Sequence, residues 1–314
     1  MITDFFHNLY NATFKIKNPI LVSSKVAAVL RLVILGVSNI VIPIVYAFTK
    51  NNSQYNLKSN TKKQSDFVVS LTSFPQRIGK AHLVIESLLR QTVSPKRIVL
   101  WLSEQQFTSL DVLPKKLLEL QARGLEIYLT EGDLRSYKKY YFLLKESPSS
   151  KFIIFDDDIF YQSKVVEYLI DTHKKYPNAL CANRCRKIDN TQSYANWKII
   201  KGDVQTPRFD LMPTGCGGVL YPENALHTDS IDKELFTKIC KDADDIWLNT
   251  TAYLNKTPIA YTGKFEYVLA VISYGNIHLH SKNVGESNND IRMRSVEKHY
   301  LSSKSIKVFD RDNY

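Results

Sequence analysis

The sequence predicts an α/β fold, a mainly parallel, Rossmann-like sheet flanked by helices and preceded by an apolar helical segment. Three observations lead there. Short apolar runs recur at residues 67–71 (FVVSL), 98–102 (IVLWL), 125–129 (LEIYL) and 152–155 (FIIF). Between them apolar side chains repeat at three- and four-residue steps, as in Ala81, Val84, Ile85, Leu88 and Leu89, or Tyr137, Tyr140, Tyr141 and Leu144, which is the helix period. A third run, residues 26–48, is long and apolar enough to match a bilayer core, which takes about 20 helical residues.

Strands alternating with helices across short connections imply parallel strands covered on both faces. Further along, the pattern predicts a helix over 163–176, a strand over 179–183, irregular chain up to Pro213, a strand over 217–221, helices over 233–240 and 243–254, and a short strand over 259–262. No internal repeat or low-complexity tract is present.

Residues 1–50 read as a membrane-associating helical segment, 51–65 as a polar linker, and 66–314 as the catalytic-type domain. Composition fits a globular chain, 44% hydrophobic and 23% charged. The formal charge of +11 is concentrated early, where Lys15, Lys17, Lys25, Arg31, Lys50, Lys58, Lys62 and Lys63 face Asp4 alone. Basic residues around an apolar run suit anionic lipid better than nucleic acid, whose binders spread charge over the docking face. No nucleic-acid partner is expected. Asn39 and Pro43 interrupt the run, so a spanning helix, an in-plane interfacial helix and a helix packed on the domain all fit it. Cys181, Cys185, Cys216 and Cys240 have neither a disulfide framework nor a common zinc spacing, so they read as reduced thiols.

The most informative string is KFIIFDDDIF at 151–160, a buried strand that runs straight into Asp156, Asp157 and Asp158. Ligands of open α/β sheets sit outside the carboxyl ends of the strands. Three adjacent carboxylates repel one another unless a cation offsets them, and Mn²⁺ or Mg²⁺ bound by one or two acids plus phosphate oxygens would do so. Asp156 and Asp158 share one side of an extended chain, Asp157 the other. A solvated acidic turn is the plain alternative. An aspartyl-phosphate hydrolase fits less well, because the strand is the fourth and Ile159–Phe160 follows.

Seven strings in order, VVSLTSFPQRI (68–78), IESLLRQT (85–92), KRIVLWLSE (96–104), LRSYKKYYFLLKE (134–146), FDDDIFY (155–161), PTGCGGVLYP (213–222) and ADDIWLN (243–249), together resemble bacterial GT-A-type glycosyltransferases of polysaccharide and surface-glycan assembly. The resemblance spans about residues 66–290. It implies a GT-A-like domain and a metal-dependent transferase that moves a sugar from a nucleotide-diphosphate donor, a UDP-sugar favoured, to a glycan or lipid-linked acceptor hydroxyl, with inversion expected.

By that resemblance, Asp156 and Asp158 are metal ligands of a DxD motif, and Asp156 and Asp157 also face the donor. Thr72 and Arg77 form the nucleotide edge, although Arg77 also fits a turn-capping charge. Lys138 and Lys139, at a helix start, favour a diphosphate, and one of the two is expected to take part. Gly217 and Gly218, with Gly215, let the loop approach the donor sugar. The carboxylate acting as general base falls to Asp245 or Asp244, although Asp242 and Asp245 also have capping spacing. Trp247 is the expected acceptor platform, and His280 the expected C-terminal metal ligand.

Two other readings compete: a non-catalytic nucleotide- or carbohydrate-binding protein of the same fold, and a sugar nucleotidyltransferase, which would show a glycine-rich basic loop that 70–78 lacks. The sequon at Asn249 lies inside a predicted helix, where a glycan would disrupt packing, so the cytoplasmic face of a membrane is the expected location.

Overall fold

The computed structural model describes residues 1–16, 25–59, 62–202, 206–264, 266–273 and 288–310. Strands β1 (Val68–Thr72), β2 (Arg97–Ser103), β3 (Leu125–Thr130) and β4 (Phe152–Ile154) form where the apolar runs predict them. They are followed by β5 (Ile159–Phe160), β6 (Leu180–Ala182), β7 (Cys185–Lys187), β8 (Leu211–Pro213), β9 (Val219–Tyr221), β10 (Ile259–Tyr261) and β11 (Leu269–Ala270). The central sheet runs β10-β6-β9-β4-β1-β2-β3. It is parallel except for β9, which lies antiparallel between β4 and β6, so the predicted mainly parallel α/β sheet is what the chain adopts.

Side chains alternate across this sheet, and both faces are covered. Val69, Leu71, Ile98, Leu100 and Ile153 enter one core, and Val68, Val99, Trp101, Phe152 and Ile154 enter the other. The first core lies under α1 (Ile2–Ala12), α2 (Val26–Thr49), α3 (Pro75–Leu89) and α5 (Val165–Lys175). The second is covered by α4 (Lys138–Glu146), α6 (Lys233–Ile239), α7 (Asp244–Leu254) and α8 (Asn288–Lys304). Pro75 occupies the first turn of α3, where its missing N–H costs nothing. Two small antiparallel pairs complete the strands: β7 with β8, within the stretch up to Pro213 expected to be irregular, and β11 with β5.

The segment expected to be a loose linker, 51–65, is fastened to the domain instead. Arg123 donates to the Tyr55 carbonyl through Nε at 3.0 Å, and the Arg90 guanidinium lies 4.0 Å above the Tyr55 ring. Leu57 packs so closely over Gly124, at φ +101°, that a Cβ there would stand 2.8 Å from the Leu57 Cβ. Glu86 ties this region together from inside α3, accepting from Arg90 Nε at 3.1 Å and from Arg123.

Removing one partner of a buried ion cluster leaves the others uncompensated. With Glu86 and Arg90 only 6% and 3% exposed, Glu86→Ala should cost about 3–5 kcal/mol in urea unfolding. A loss below about 1 kcal/mol would show that the cluster does not secure the 51–65 segment.

Candidate functional site

The sheet order sets the position of the site. From β1 the chain steps outward to β2 and β3, then returns to place β4 on the other side of β1. That reversal is the crevice at which α/β sheets bind ligands. A cavity of about 640 Å³ opens there, within the roughly 300–1,000 Å³ typical of small-molecule sites. It is lined from the strand ends by Thr72, Ser73 and Arg77 after β1, Gln106 after β2, Asp133 and Arg135 after β3, and Asp156, Asp157 and Asp158 after β4. Because β9 runs antiparallel, its leading loop, Thr214–Gly218, reaches the same edge.

The three aspartates do not follow the strand alternation expected of them, because the chain bends at 157–158: Asp157 and Asp158 share Arg77, whereas Asp156 meets Lys139. Asp157 turns inward, accepting from Ser73 Oγ at 2.5 Å and from Arg77 at 2.9 Å, and its side chain is 9% exposed. Burial holds its carboxyl above the usual range despite Arg77. Asp156 and Asp158 keep 30% and 32% of their side chains exposed. Asp158 meets Arg77 at 2.9 Å; burial raises its carboxyl too, with Arg77 opposing and Asp156 reinforcing.

Lys139 joins this edge to α7. Its Nζ lies 2.7 Å from Asp156 Oδ1 and 3.1 Å from Asp244 Oδ2. Burial alone would lower the ammonium, but Asp156, Asp244 and Asp245 outweigh it and raise it well above the usual value. The sheet fixes where this lysine sits: Ser70 Oγ, inside β1, donates to the Lys139 carbonyl at 2.5 Å and accepts from Trp101 Nε1 at 2.9 Å. Lys138 points elsewhere, to Asp133 at 2.5 Å, and burial pulls its value down. Both lysines line the cavity, but Lys139 is the fixed cation at the acids.

Asp245 faces the cavity from the start of α7 and accepts the Gly215 N–H at 3.1 Å. Burial, then repulsion from Asp244, raises its carboxyl far above the ordinary carboxylate value, with Lys139 opposing. Asp244 is engaged by Lys139, whereas Asp245 faces the cavity beside the Gly215 N–H, which favours Asp245 over Asp244 as a base. The capping alternative for these acids is not realised. The residue ahead of α7 is Ala243, without a side-chain cap, and Asp242 instead pairs with Arg135 at 2.6 Å.

Several expectations need correction. Trp247 is fully buried; it packs against Phe236 and Tyr300 and donates through Nε1 to the Ser230 carbonyl at 3.3 Å. It is core and offers no face to an acceptor, whereas Asp245, two residues earlier, lies on the opposite side of α7. Gly217 and Gly218 are packing positions rather than sugar contacts. A Cβ at Gly217 would stand 2.6 Å from the Arg184 Cβ, and one at Gly218, at φ +84°, would stand 2.3 Å from the Phe155 ring. The glycine that faces the site is Gly215, where a Cβ would lie 3.1 Å from Asp156 Oδ1 and 3.4 Å from Asp245 Oδ1. His280 lies outside the described residues.

The sequence reading missed Arg184 and Arg186, which line the same cavity. Arg184 donates to Thr214 Oγ1 at 2.8 Å, and Arg186 donates to the Trp197 carbonyl at 2.9 Å. Their signal was two arginines flanking Cys185, which places both on one side of an extended segment. Ser70, a lone hydroxyl in an apolar strand, was a second such signal.

Among the described residues no group of three histidine, cysteine or acidic side chains converges as a ready metal cage. Asp156 and Asp158 nonetheless suit a hard divalent cation that keeps one or two protein carboxylates and takes its remaining oxygens from phosphate and water.

No protein-family model and no curated protein sequence matches the chain. Among solved structures, S. aureus TarS 1–349 is similar at 12% identity and TM-score 0.43, covering 76% of this chain and 73% of that one. The UTP-bound UGPase from Acinetobacter baumannii is similar at 9% identity and TM-score 0.39, with 79% and 96% covered. An apo UDP-glucose pyrophosphorylase is similar at 8% identity and TM-score 0.41, with 74% and 100% covered. These are distant likenesses of chain path.

Two outcomes follow from the geometry. Since Asp245 holds its proton more tightly folded than unfolded, the stability that proton gives is present below about pH 4 and is lost as pH rises through the raised value. Asp245→Asn should therefore raise Tm more at pH 9 than at pH 5; an equal gain at both would contradict the raised value. Gly218→Ala, strained in φ and blocked by Phe155, should cost about 1–3 kcal/mol or more in denaturant unfolding, whereas Gly215→Ala, meeting only side-chain tips, should cost under about 1 kcal/mol. The reverse ranking would return Gly218 to the site.

Proposed function

We propose that the protein is a glycosyltransferase that moves a sugar from a nucleoside-diphosphate donor, a UDP-sugar favoured, to a glycan or lipid-linked hydroxyl, at the cytoplasmic face of a membrane. One observation carries the reading: at the topological switch of an α/β sheet, Lys139 bridges Asp156 and Asp244 while Asp245 and Gly215 close the same cavity. Cation, exposed carboxylates and a raised-value carboxylate in one enclosure are what diphosphate departure and hydroxyl activation require.

In this proposal Asp156 and Asp158 hold Mn²⁺ or Mg²⁺, which when bound offsets charge on the leaving diphosphate. Lys139 and Arg77 lend further positive charge on the donor side, and Thr72 borders the nucleotide. Asp245 accepts the acceptor hydroxyl's proton as its oxygen attacks the anomeric carbon from the face opposite the diphosphate, so the configuration inverts. Asp244 keeps Lys139 in place. Arg184 and Arg186 also line the cavity and suit a hydroxyl-rich or anionic acceptor.

A nucleotide panel with Mn²⁺ tests this through the melting temperature. A UDP-sugar should raise Tm by several degrees at millimolar concentration, and slow donor hydrolysis should accompany it. Asp156→Ala should abolish both, and Asp245→Asn should lower turnover by about 10²–10⁴-fold while keeping the Tm shift. Binding without turnover for every donor would instead indicate a non-catalytic binding protein; pyrophosphate-dependent formation of UTP would indicate a nucleotidyltransferase.

A further inference from the structure

Helices α1 and α2 carry most of the large apolar side chains that the described residues leave exposed, including Phe5, Leu9, Leu32, Val33, Ile40 and Phe48. Leu32, Ile40 and Phe48 are 69%, 64% and 86% exposed. Among the described residues, α2 is the helix long and apolar enough to cross a membrane by length and composition. Its other flank is nevertheless committed to the domain: Ala27, Ile34, Ser38, Ile42 and Tyr46 form one buried stripe.

Several polar residues on and beside that flank are bonded to the domain. Asn39, which interrupts the apolar run, uses both ends of its amide on the chain at β11, donating to the Ala270 carbonyl at 3.0 Å and accepting from the Ile272 N–H at 2.8 Å. Arg90, buried at the C-terminal end of α3, donates to Thr49 Oγ1 at 2.9 Å and stacks 4.3 Å over Tyr46. On α1, Asp4 accepts from Ser163 N at 2.7 Å, and Asn11 Oδ1 accepts from Tyr267 N at 2.7 Å. A helix crossing the bilayer would surrender these contacts and carry Asn39 into hydrocarbon with its amide oxygen unsatisfied and only the bond to the Leu35 carbonyl kept, which is costly.

We propose that α1 and α2 lie in the plane of an anionic bilayer's interface as a monotopic docking face, and that α2 does not span. A single apolar flank backed by a polar, bonded one is the pattern of an interfacial helix. The occupant is lipid rather than protein on grounds of charge: Lys15, Lys25, Arg31 and Lys50 edge the two helices, with Asp4 the one acid among residues 1–65. Docking also holds the cavity rim at the lipid surface, because Val268 and Ala270 line the cavity while Asn39 holds the backbone at 270 and 272. This sharpens the membrane association proposed above. It does not depend on the reaction assigned to the cavity, since the nucleotide test reads the cavity alone.

The test uses the full chain with single Leu32→Trp, Ile40→Trp, Phe48→Trp and Ile272→Trp substitutions, bound to phosphatidylcholine vesicles with one-third phosphatidylglycerol. Bromines are placed either shallow or deep on the acyl chains. The native tryptophans, Trp101, Trp197 and Trp247, are buried and shielded from the quencher. Leu32 and Phe48 lie about 24 Å apart along the helix, so a spanning orientation would put Ile40 deep and the ends shallow. The proposal expects all four positions to be quenched best by shallow bromines, with binding weaker on phosphatidylcholine alone and in high salt. Preferential deep quenching at Ile40 overturns it in favour of a span. Absence of quenching with a concentration-dependent dimer overturns it in favour of a second copy covering the face, and quenching on the helix without any at Ile272→Trp overturns the placement of the rim.

Discussion

The site depends on one buried ammonium. Lys139 contacts Asp156 and Asp244 and lies in the field of Asp245, so its charge offsets the repulsion among the three acids. The acids come from elements far apart in sequence, the end of β4 and the start of α7, so the lysine determines whether they form one site or two unrelated acidic turns. Its own position is imposed by the sheet, through the Ser70 hydroxyl that holds its carbonyl and the Trp101 indole that holds Ser70. A charge network of this kind contributes little net stability; what it supplies is placement.

The antiparallel strand β9 completes the arrangement. Were it parallel to its neighbours, the loop carrying Gly215 would lie at the far edge of the sheet. Reversed, it brings the Gly215 N–H to Asp245 and leaves room beside Asp156 that a side chain would fill. The cavity edge thus draws on the carboxyl ends of β1 to β4 and the amino end of β9, with the start of α7 beside it.

The parts legible in the sequence were those with strong local signatures. Strands β1, β2 and β4 were mainly apolar on both faces and β3 on one, all bounded by clear breaks, and the acid triplet followed one of them directly, so fold class and candidate edge could both be read from spacing. Long-range constraint was not legible. Trp247 sits two residues from Asp245, and only the rotation of α7 decides that one is core and the other faces the cavity. Gly217 and Gly218 look like ligand-facing glycines in the string GCGG, yet their reason is steric, the nearness of Arg184 and Phe155. Asn39 read as a flaw in an apolar helix, when it is the residue that ties this helix to β11.

The central claim is that the Asp156, Lys139 and Asp244 cluster receives a diphosphate, and a crystal structure of the protein with UDP and Mn²⁺ tests it most directly. The account predicts phosphate oxygens between Lys139 and the Asp156–Asp158 pair, with the uridine beside Thr72 and Asp245 open to the remaining volume. Nucleotide bound away from this crevice, with Lys139 still locked to both acids and no metal at Asp156 or Asp158, would contradict it.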